Sequence, residues 1–141
     1  MDSVRDVMST DVEYCTPLDN VYEVAVKMKD LDVGAIPILE DKKLIGMITD
    51  RDLVVRGYAE KRSGSNKVTN VMSDDLITCT PDTSLEEASQ LMSKHQIRRL
   101  PVVENDQLVG MLSLGDLSTN ETSDNLAGEA LSDISEQNQL H

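Results

Sequence analysis

The chain repeats itself. Shifting the sequence by 64 residues superimposes Val4 on Val68, Val7-Met8-Ser9 on Val71-Met72-Ser73 and Asp11 on Asp75, with no gap. The same shift lays Cys15-Thr16-Pro17 on Cys79-Thr80-Pro81, Glu23 on Glu87, Met28 on Met92, Pro37 on Pro101 and Leu44 on Leu108. A fixed period restricts the fold more than composition does, because whatever one copy forms the other must form as well. A unit of roughly 60 residues buries only about 60% of its unfolded surface and is marginal alone, so the two copies are expected to share a core. Two copies are too few for an open solenoid, which leaves a closed pseudo-symmetric pair.

Each copy reads as a short helix, a strand, a long helix, two strands and a final helical turn. In the first, Ser3–Met8 is the short helix and Val12–Cys15 a strand. Asp19 or Asn20 then caps a helix over Val21–Leu31, with Val21, Val24, Ala25, Met28 and Leu31 on one apolar face. Gly34 supplies a turn, Ala35–Leu39 is a strand, Glu40–Lys43 a polar hairpin turn, Leu44–Thr49 a second strand, and Asp50–Arg56 a helix that Gly57 ends. Pro37 and its counterpart Pro101 inside strands imply a sheet edge or an open place in the ladder, with freed backbone groups just before each proline. Tyr58–Asn66 is polar and rich in Gly, Ser, Lys and Arg, as a linker would be. In the second copy Ser84 and Glu87 form a capping box for a helix reaching His95, followed by strands Leu100–Val103 and Leu108–Leu112 turned at Asn105-Asp106, and by the helix Leu114–Leu117. These spans divide the chain into a first repeat at 4–57, a linker at 58–67, a second repeat at 68–120 and an acidic tail at 121–141. In the tail Leu126, Ala127, Ala130, Leu131 and Ile134 keep helical spacing, so it is expected to lie as an amphipathic helix on the body or on a partner subunit and to fray after Glu136.

The most chemically suggestive stretch is Gly46-Met47-Ile48-Thr49-Asp50-Arg51-Asp52, echoed by Gly110-Met111-Leu112-Ser113-Leu114-Gly115-Asp116. In each, an apolar run ends in a hydroxyl residue and an aspartate follows three positions later. This is a strand entering a helix, with Thr49 or Ser113 as N-cap and Asp52 or Asp116 in the first turn, where the helix dipole favours negative charge. The same turn suits a nucleotide: its free N–H groups fit phosphate, and its carboxylate can accept from vicinal ribose hydroxyls.

Composition removes other classes. The net charge is −13, with no Trp or Phe and three Tyr, so neither phosphate neutralisation nor aromatic stacking favours nucleic acid. No apolar run approaches membrane-spanning length and the amino terminus lacks a signal-peptide pattern, so the expected setting is cytoplasmic. Cys15 and Cys79, at equivalent positions, read as buried inert thiols, and His95 and His141 are too isolated for a metal site. No His, Asp or metal cluster accompanies either thiol at catalytic spacing, which argues against an enzyme.

The element order, Cys-Thr-Pro before the first long helix and Gly-x-x-Thr/Ser-x-x-Asp closing each copy together resemble the CBS domain pair, the stand-alone Bateman module, from about Val4 to Leu117. The resemblance implies an α/β (α+β) fold of two CBS repeats packed sheet to sheet about a pseudo-twofold axis, leaving two clefts. It implies a regulatory ligand containing adenosine, such as AMP, ADP, ATP or S-adenosylmethionine, with no cofactor required, and a homodimer. Carried over, Asp52 and Asp116 accept from ribose, and Thr49 and Ser113 hold phosphate. The backbone around Ile36-Pro37 and Leu100-Pro101 borders the base, together with the strands after Asp11 and Asp75. The copies differ in their cations: Arg51 lies inside the first motif, whereas Arg98 and Arg99 precede the second proline strand. The leading expectation is a sensor signalling to an unnamed partner protein; the alternatives are a ligand-independent dimerisation or docking module and an S-adenosylmethionine sensor.

Overall fold

Capping and turn chemistry explain where each element starts and stops. The computed structural model describes residues 2–118 and 124–139. Helix α1 (Val4–Val7) begins after Ser3, whose N–H donates to the Asp6 carboxylate at 2.9 Å. Helix α2 (Val21–Leu31) carries a full capping box, with Glu23 N–H donating to Asn20 Oδ1 at 2.8 Å and Asn20 N–H to Glu23 Oε1 at 3.1 Å. Asn20, rather than Asp19, is the cap; Asp19 accepts from Thr16 N–H in the turn before it. Strands β1 (Ala35–Glu40) and β2 (Lys43–Thr49) form an antiparallel hairpin. Its two-residue turn, Asp41-Lys42, has both φ angles positive, the twist that suits a tight hairpin. In the second copy α4 (Leu85–His95), β3 (Arg99–Glu104) and β4 (Gln107–Ser113) repeat the pattern, with the turn at Asn105-Asp106. The result is the expected mixture of helices and antiparallel sheet in two repeats.

Several local expectations change. Val12–Cys15 and the equivalent segment 76–79 of the second copy contribute single parallel bridges, Cys15 with Ile38 and Cys79 with Val102, rather than full strands. The proline explains this. Met47 pairs with Ser73 through both its N–H and its C=O, so the cross-strand position Pro37 turns its own backbone towards the Cys15 segment. Its carbonyl accepts from Cys15 N–H at 3.0 Å, but it has no N–H to extend the ladder. Pro101 does the same with Cys79. The backbone before each proline is therefore engaged rather than freed: Ile36 is in register with Ile48, and Leu100 with Leu112. The left-handed residue after α2 is Asp32, not Gly34, and its counterpart after α4 is Gln96. Helix α3 (Asp50–Asp52) runs into a wider π-helical turn (Leu53–Gly57) and a 3-10 turn (Tyr58–Glu60), so the helical path passes Gly57 and ends at left-handed Lys61. On α2, Val24 and Met28 are buried while Ala25 and Leu31 are exposed, a narrower face than the spacing suggests. Ser84 Oγ accepts from Glu87 N–H at 3.1 Å, the forward arm of the anticipated box.

Contacts divide the chain into two units, one of residues 13–76 and one of residues 1–12 with 77–141. Each has its own cluster of buried core residues. In the 13–76 unit Cys15, Val24, Met28, Ile36, Ile38 and Ile48 pack with Val68 and Val71. In the other, Val4 packs with Cys79, Ala88, Met92, Leu100, Val102, Leu112 and Leu117. Val4 and Val68 are equivalent in the duplication, yet each packs in the unit built from the long helix and hairpin of the opposite copy. Each small unit thereby completes its core with a segment from the other repeat. After α5 (Leu114–Ser118), helix α6 (Asp124–Gln139) lies on α4 and α5, burying Ala127, Ala130 and Ile134 while Leu131 stays exposed. Its helix continues past Glu136, where fraying was expected. Glu121, the side chain of Leu126 and residues 140–141 lie outside the described residues. No helix among the described residues is long and apolar enough to cross a membrane.

Candidate functional site

The motif turns have the same internal geometry in both units. Strand β2 delivers Thr49, whose hydroxyl accepts from Asp52 N–H at 3.1 Å, while Thr49 N–H donates to Asp52 Oδ2 at 2.9 Å. Strand β4 delivers Ser113, whose hydroxyl accepts from Asp116 N–H at 3.1 Å, while Ser113 N–H donates to Asp116 Oδ2 at 2.8 Å. Each hydroxyl and carboxylate therefore caps the other's backbone, which fixes both rotamers. An oxygen holding one N–H bond keeps a second lone pair, so capping leaves acceptor capacity at Asp52 Oδ2.

The surroundings differ. In the 13–76 unit Arg56 donates to Asp52 Oδ1 at 2.8 Å, an i,i+4 pair in which the aspartate side chain is 17% exposed. Arg56 was not singled out by sequence reading, although the spacing was visible. Arg51 is exposed on the same turn. Ala35 stands across from Thr49, and Asp50 N–H donates to Gly34 O at 2.9 Å. In the other unit Arg99 stands across from Ser113, and Leu114 N–H donates to Arg98 O at 3.1 Å, so two exposed arginines flank the second turn. The structure thus places Arg51 with the first motif and Arg98 and Arg99 with the second. Ile36, Pro37, Leu100 and Pro101 are buried, and their backbone is engaged in the sheet and with the Cys15 and Cys79 segments.

The glycine of each motif has a packing role. A Cβ on Gly46 would run into Met72 Sδ and lie 3.1 Å from Ser73 O, and one on Gly110 would lie 2.8 Å from Met8 Sδ and 2.9 Å from Ser9 O. The segment that crosses the strand comes so close that no side chain fits.

The thiols are buried, Cys15 in one core and Cys79 in the other. Burial pushes each from 9.0 up to about 11; Lys27 partly offsets this at Cys15, and Glu87 adds to it at Cys79. Neither is a thiolate near neutrality, so neither is poised as a nucleophile. Among the described residues no group of three or more His, Cys, Asp or Glu is placed to hold a metal ion.

A duplicated strand-turn-helix motif, a proline-interrupted hairpin and a long capped helix in each copy define a CBS-type repeat. The CBS domain profile matches residues 4–57 and 68–120, most of the chain, and the protein belongs to this family as a CBS-pair protein. It is 50% identical over 138 residues to the uncharacterised protein YlbB of Bacillus subtilis, spanning 96% of this chain and 93% of that one. It is 49% identical over 138 residues to the CBS domain-containing protein YhcV of the same organism, spanning 98% and 99%. Among solved structures, CBSX2 in complex with AMP superimposes with a TM-score of 0.74 at 26% identity, covering 82% of this chain and 93% of that one. CBS pairs are regulatory modules, and that is the class in which this chain stands.

Proposed function

We propose that the protein is a non-catalytic sensor of an adenosine-containing ligand, with AMP, ADP or ATP preferred, and that ligand binding is passed to a partner protein. The observation that carries this reading is the pair of preset turns, Thr49 with Asp52 and Ser113 with Asp116. Each presents a fixed carboxylate for ribose and a hydroxyl at a helix start for phosphate. The solved structure of CBSX2 with AMP supports the ligand class. Arg51 and Arg56 at the first turn, and Arg98 and Arg99 at the second, supply local cations in a chain of net charge −13. The distant field is screened beyond about 8 Å at physiological salt, so these local cations decide whether phosphate is held. This favours a nucleotide over S-adenosylmethionine. A homodimer in the cytoplasm completes the proposal, the free thiols being consistent with a reducing compartment.

One observation favours a second reading. Both turns are internally satisfied and Asp52 is already held by Arg56, as in a ligand-independent docking module whose motifs only cap helices. Calorimetric titration with AMP, ADP and ATP separates the two. The sensor reading expects micromolar binding, about −8 kcal/mol, weakened by about 1.5–3 kcal/mol in Asp52→Ala or Asp116→Ala, the range for a hydrogen bond to a charged group. Absence of heat with all three nucleotides and with S-adenosylmethionine, together with an unchanged melting midpoint, would favour the docking module or a ligand outside this class.

A further inference from the structure

The two motif turns are built alike but are held from behind by different means. In the 13–76 unit the chain continues past Asp52 through the π-helical turn Leu53–Gly57 and the 3-10 turn Tyr58–Glu60, and Arg56 reaches back to Asp52 Oδ1 at 2.8 Å. In the other unit α5 is 5 residues long and ends at Ser118. The position equivalent to Arg56 is Asn120, which carries no charge. A helix this short is marginal on its own, because its nucleus fixes several residues for few hydrogen bonds.

Helix α6 supplies what the short helix lacks. It packs on both α4 and α5, and its Ala127 belongs to the same buried cluster as Leu117, the residue that follows Asp116. Leu117 is fully buried, whereas its equivalent Leu53 is only partly so. On the α4 side Ser93 Oγ donates to the Asp133 carboxylate. The seat itself is slight. Of the side chains described on α6, Ala127, Ala130 and Ile134 are buried, and only Ile134 is large. Alanines bury little apolar area, so α6 is held by a small margin, as moving elements are.

We propose that α6 is the output element of the second motif: when seated it orders the turn from Ser113 to Asp116, and a ligand held on that turn tightens the seat of α6 in return. This role rests on the sensor reading for its ligand and adds which part of the chain registers occupancy, and of which motif. The two effects are one coupling free energy, equal in both directions by linkage. The path is short, since Asp116 adjoins Leu117 and Leu117 shares its buried cluster with Ala127. Helix α6 belongs to the unit of the second motif, while the first motif has Arg56 and its own helical continuation. The exposed apolar side chains of the 13–76 unit stay available to the proposed homodimer.

The test uses the full chain with AMP as the probe. Asp52→Ala confines binding to the second motif, and Asp116→Ala confines it to the first. Each is combined with Ala130→Gln, which forces a longer neutral side chain under α6, with Ile134→Ala, which empties the seat without adding bulk, or with the control Leu131→Gln on the exposed side. Calorimetry should show AMP weakened about tenfold by Ala130→Gln and Ile134→Ala at the second motif. At the first motif the change should stay below about twofold, and Leu131→Gln should alter neither. Amide exchange gives the reciprocal reading: AMP should slow exchange across α6 in Asp52→Ala but not in Asp116→Ala. Without ligand, Ala130→Gln should speed exchange of the Asp116 amide and not that of Asp52. A purely structural α6 would lower the melting midpoint and leave the affinities unchanged. That result would overturn the proposal, as would equal weakening at both motifs or α6 exchange indifferent to AMP. So would tighter AMP binding once α6 is unseated, the sign expected if its carboxylates acted only by repulsion. AMP binding with α6 indifferent refutes the output role alone. No AMP binding by the parent chain refutes the sensor and the output role together, and ligand-free exchange at Asp116 then reads only whether α6 orders the turn.

Discussion

Replacing Gly110 by alanine adds one methyl group where the chain crosses β4. The new Cβ would meet Ser9 O at 2.9 Å and Met8 Sδ at 2.8 Å. The sulfur ends a flexible side chain and can swing away, but Ser9 is tied to Met111 by two backbone hydrogen bonds, each 2.9 Å. Relieving the carbonyl contact must therefore stretch those bonds. Overpacking costs about 1–3 kcal/mol, partly offset by about 0.5–1 kcal/mol because alanine is less free than glycine in the unfolded chain. A net loss of about 1.5 kcal/mol is expected, with a midpoint lower by about 5 °C for a chain of this size. At Gly46 the nearest atom is Met72 Sδ, while Ser73 O stands farther off at 3.1 Å, so the conflict there is mostly with the flexible atom. Gly46→Ala should cost about 1 kcal/mol, and adding Met72→Ala should remove most of the coupling. Met8→Ala should not rescue Gly110→Ala. Urea unfolding followed by circular dichroism, arranged as two double-mutant cycles, measures this. A Gly110→Ala stability within about 0.5 kcal/mol of the parent, or equal rescue at both sites, would refute the close-approach account.

The thiols make stability depend on alkaline pH. Each folded-state pKa is raised to about 11, so the neutral thiol is favoured by folding. That stability is fully present below the unfolded value and is lost as pH rises from about 9 towards 11. The difference in urea midpoint between the parent and Cys15→Ala/Cys79→Ala should shift across that window and stay level below it. Ile134, 1% exposed on α6, should cost about 2–4 kcal/mol as alanine in urea unfolding, against less than about 0.5 kcal/mol for exposed Leu131→Ala; equal losses would deny that α6 is seated on α4 and α5. If Arg99 holds phosphate beside Ser113, Arg99→Ala should weaken AMP about tenfold, or 1.4 kcal/mol, and leave adenosine unchanged. A parallel loss for both ligands in calorimetry would assign Arg99 a structural role.

What was legible in the sequence was local. Ser84 with Glu87, Thr49 with Asp52 and Ser113 with Asp116 satisfy backbone groups within three residues, so a capping rule finds them without a fold. The hairpin turns at Asp41-Lys42 and Asn105-Asp106 were legible for the same reason. What depends on distant segments was not. Gly46 is constrained by Met72, and Gly110 by Met8 on the far side of the repeat boundary, so its spacing in the motif could not reveal its packing role. The placement of Val4 and Val68 in opposite cores depends on which unit each segment enters, and two equivalent sequences carry no signal for that choice. Ala25 and Leu31 show the limit of periodicity. They lie at helical spacing from Val24 and Met28, but only the narrower stripe meets the hairpin.

The duplication separates what the backbone needs from what recognition needs. Close crossing at Gly46 and Gly110, reciprocal capping in both turns, an open ladder at both prolines and left-handed Asp32 and Gln96 recur in both copies because each answers a constraint of the chain itself. The cations do not recur: they sit within the turn at Arg51 and Arg56 in one unit and on the facing strand at Arg99 in the other. Two frames of the same geometry with different charges on them cannot bind an anionic ligand with equal affinity, since local Coulomb terms at a few ångströms are worth kcal/mol while the frame contributes equally to both. A first ligand is therefore expected to fill one motif before the other.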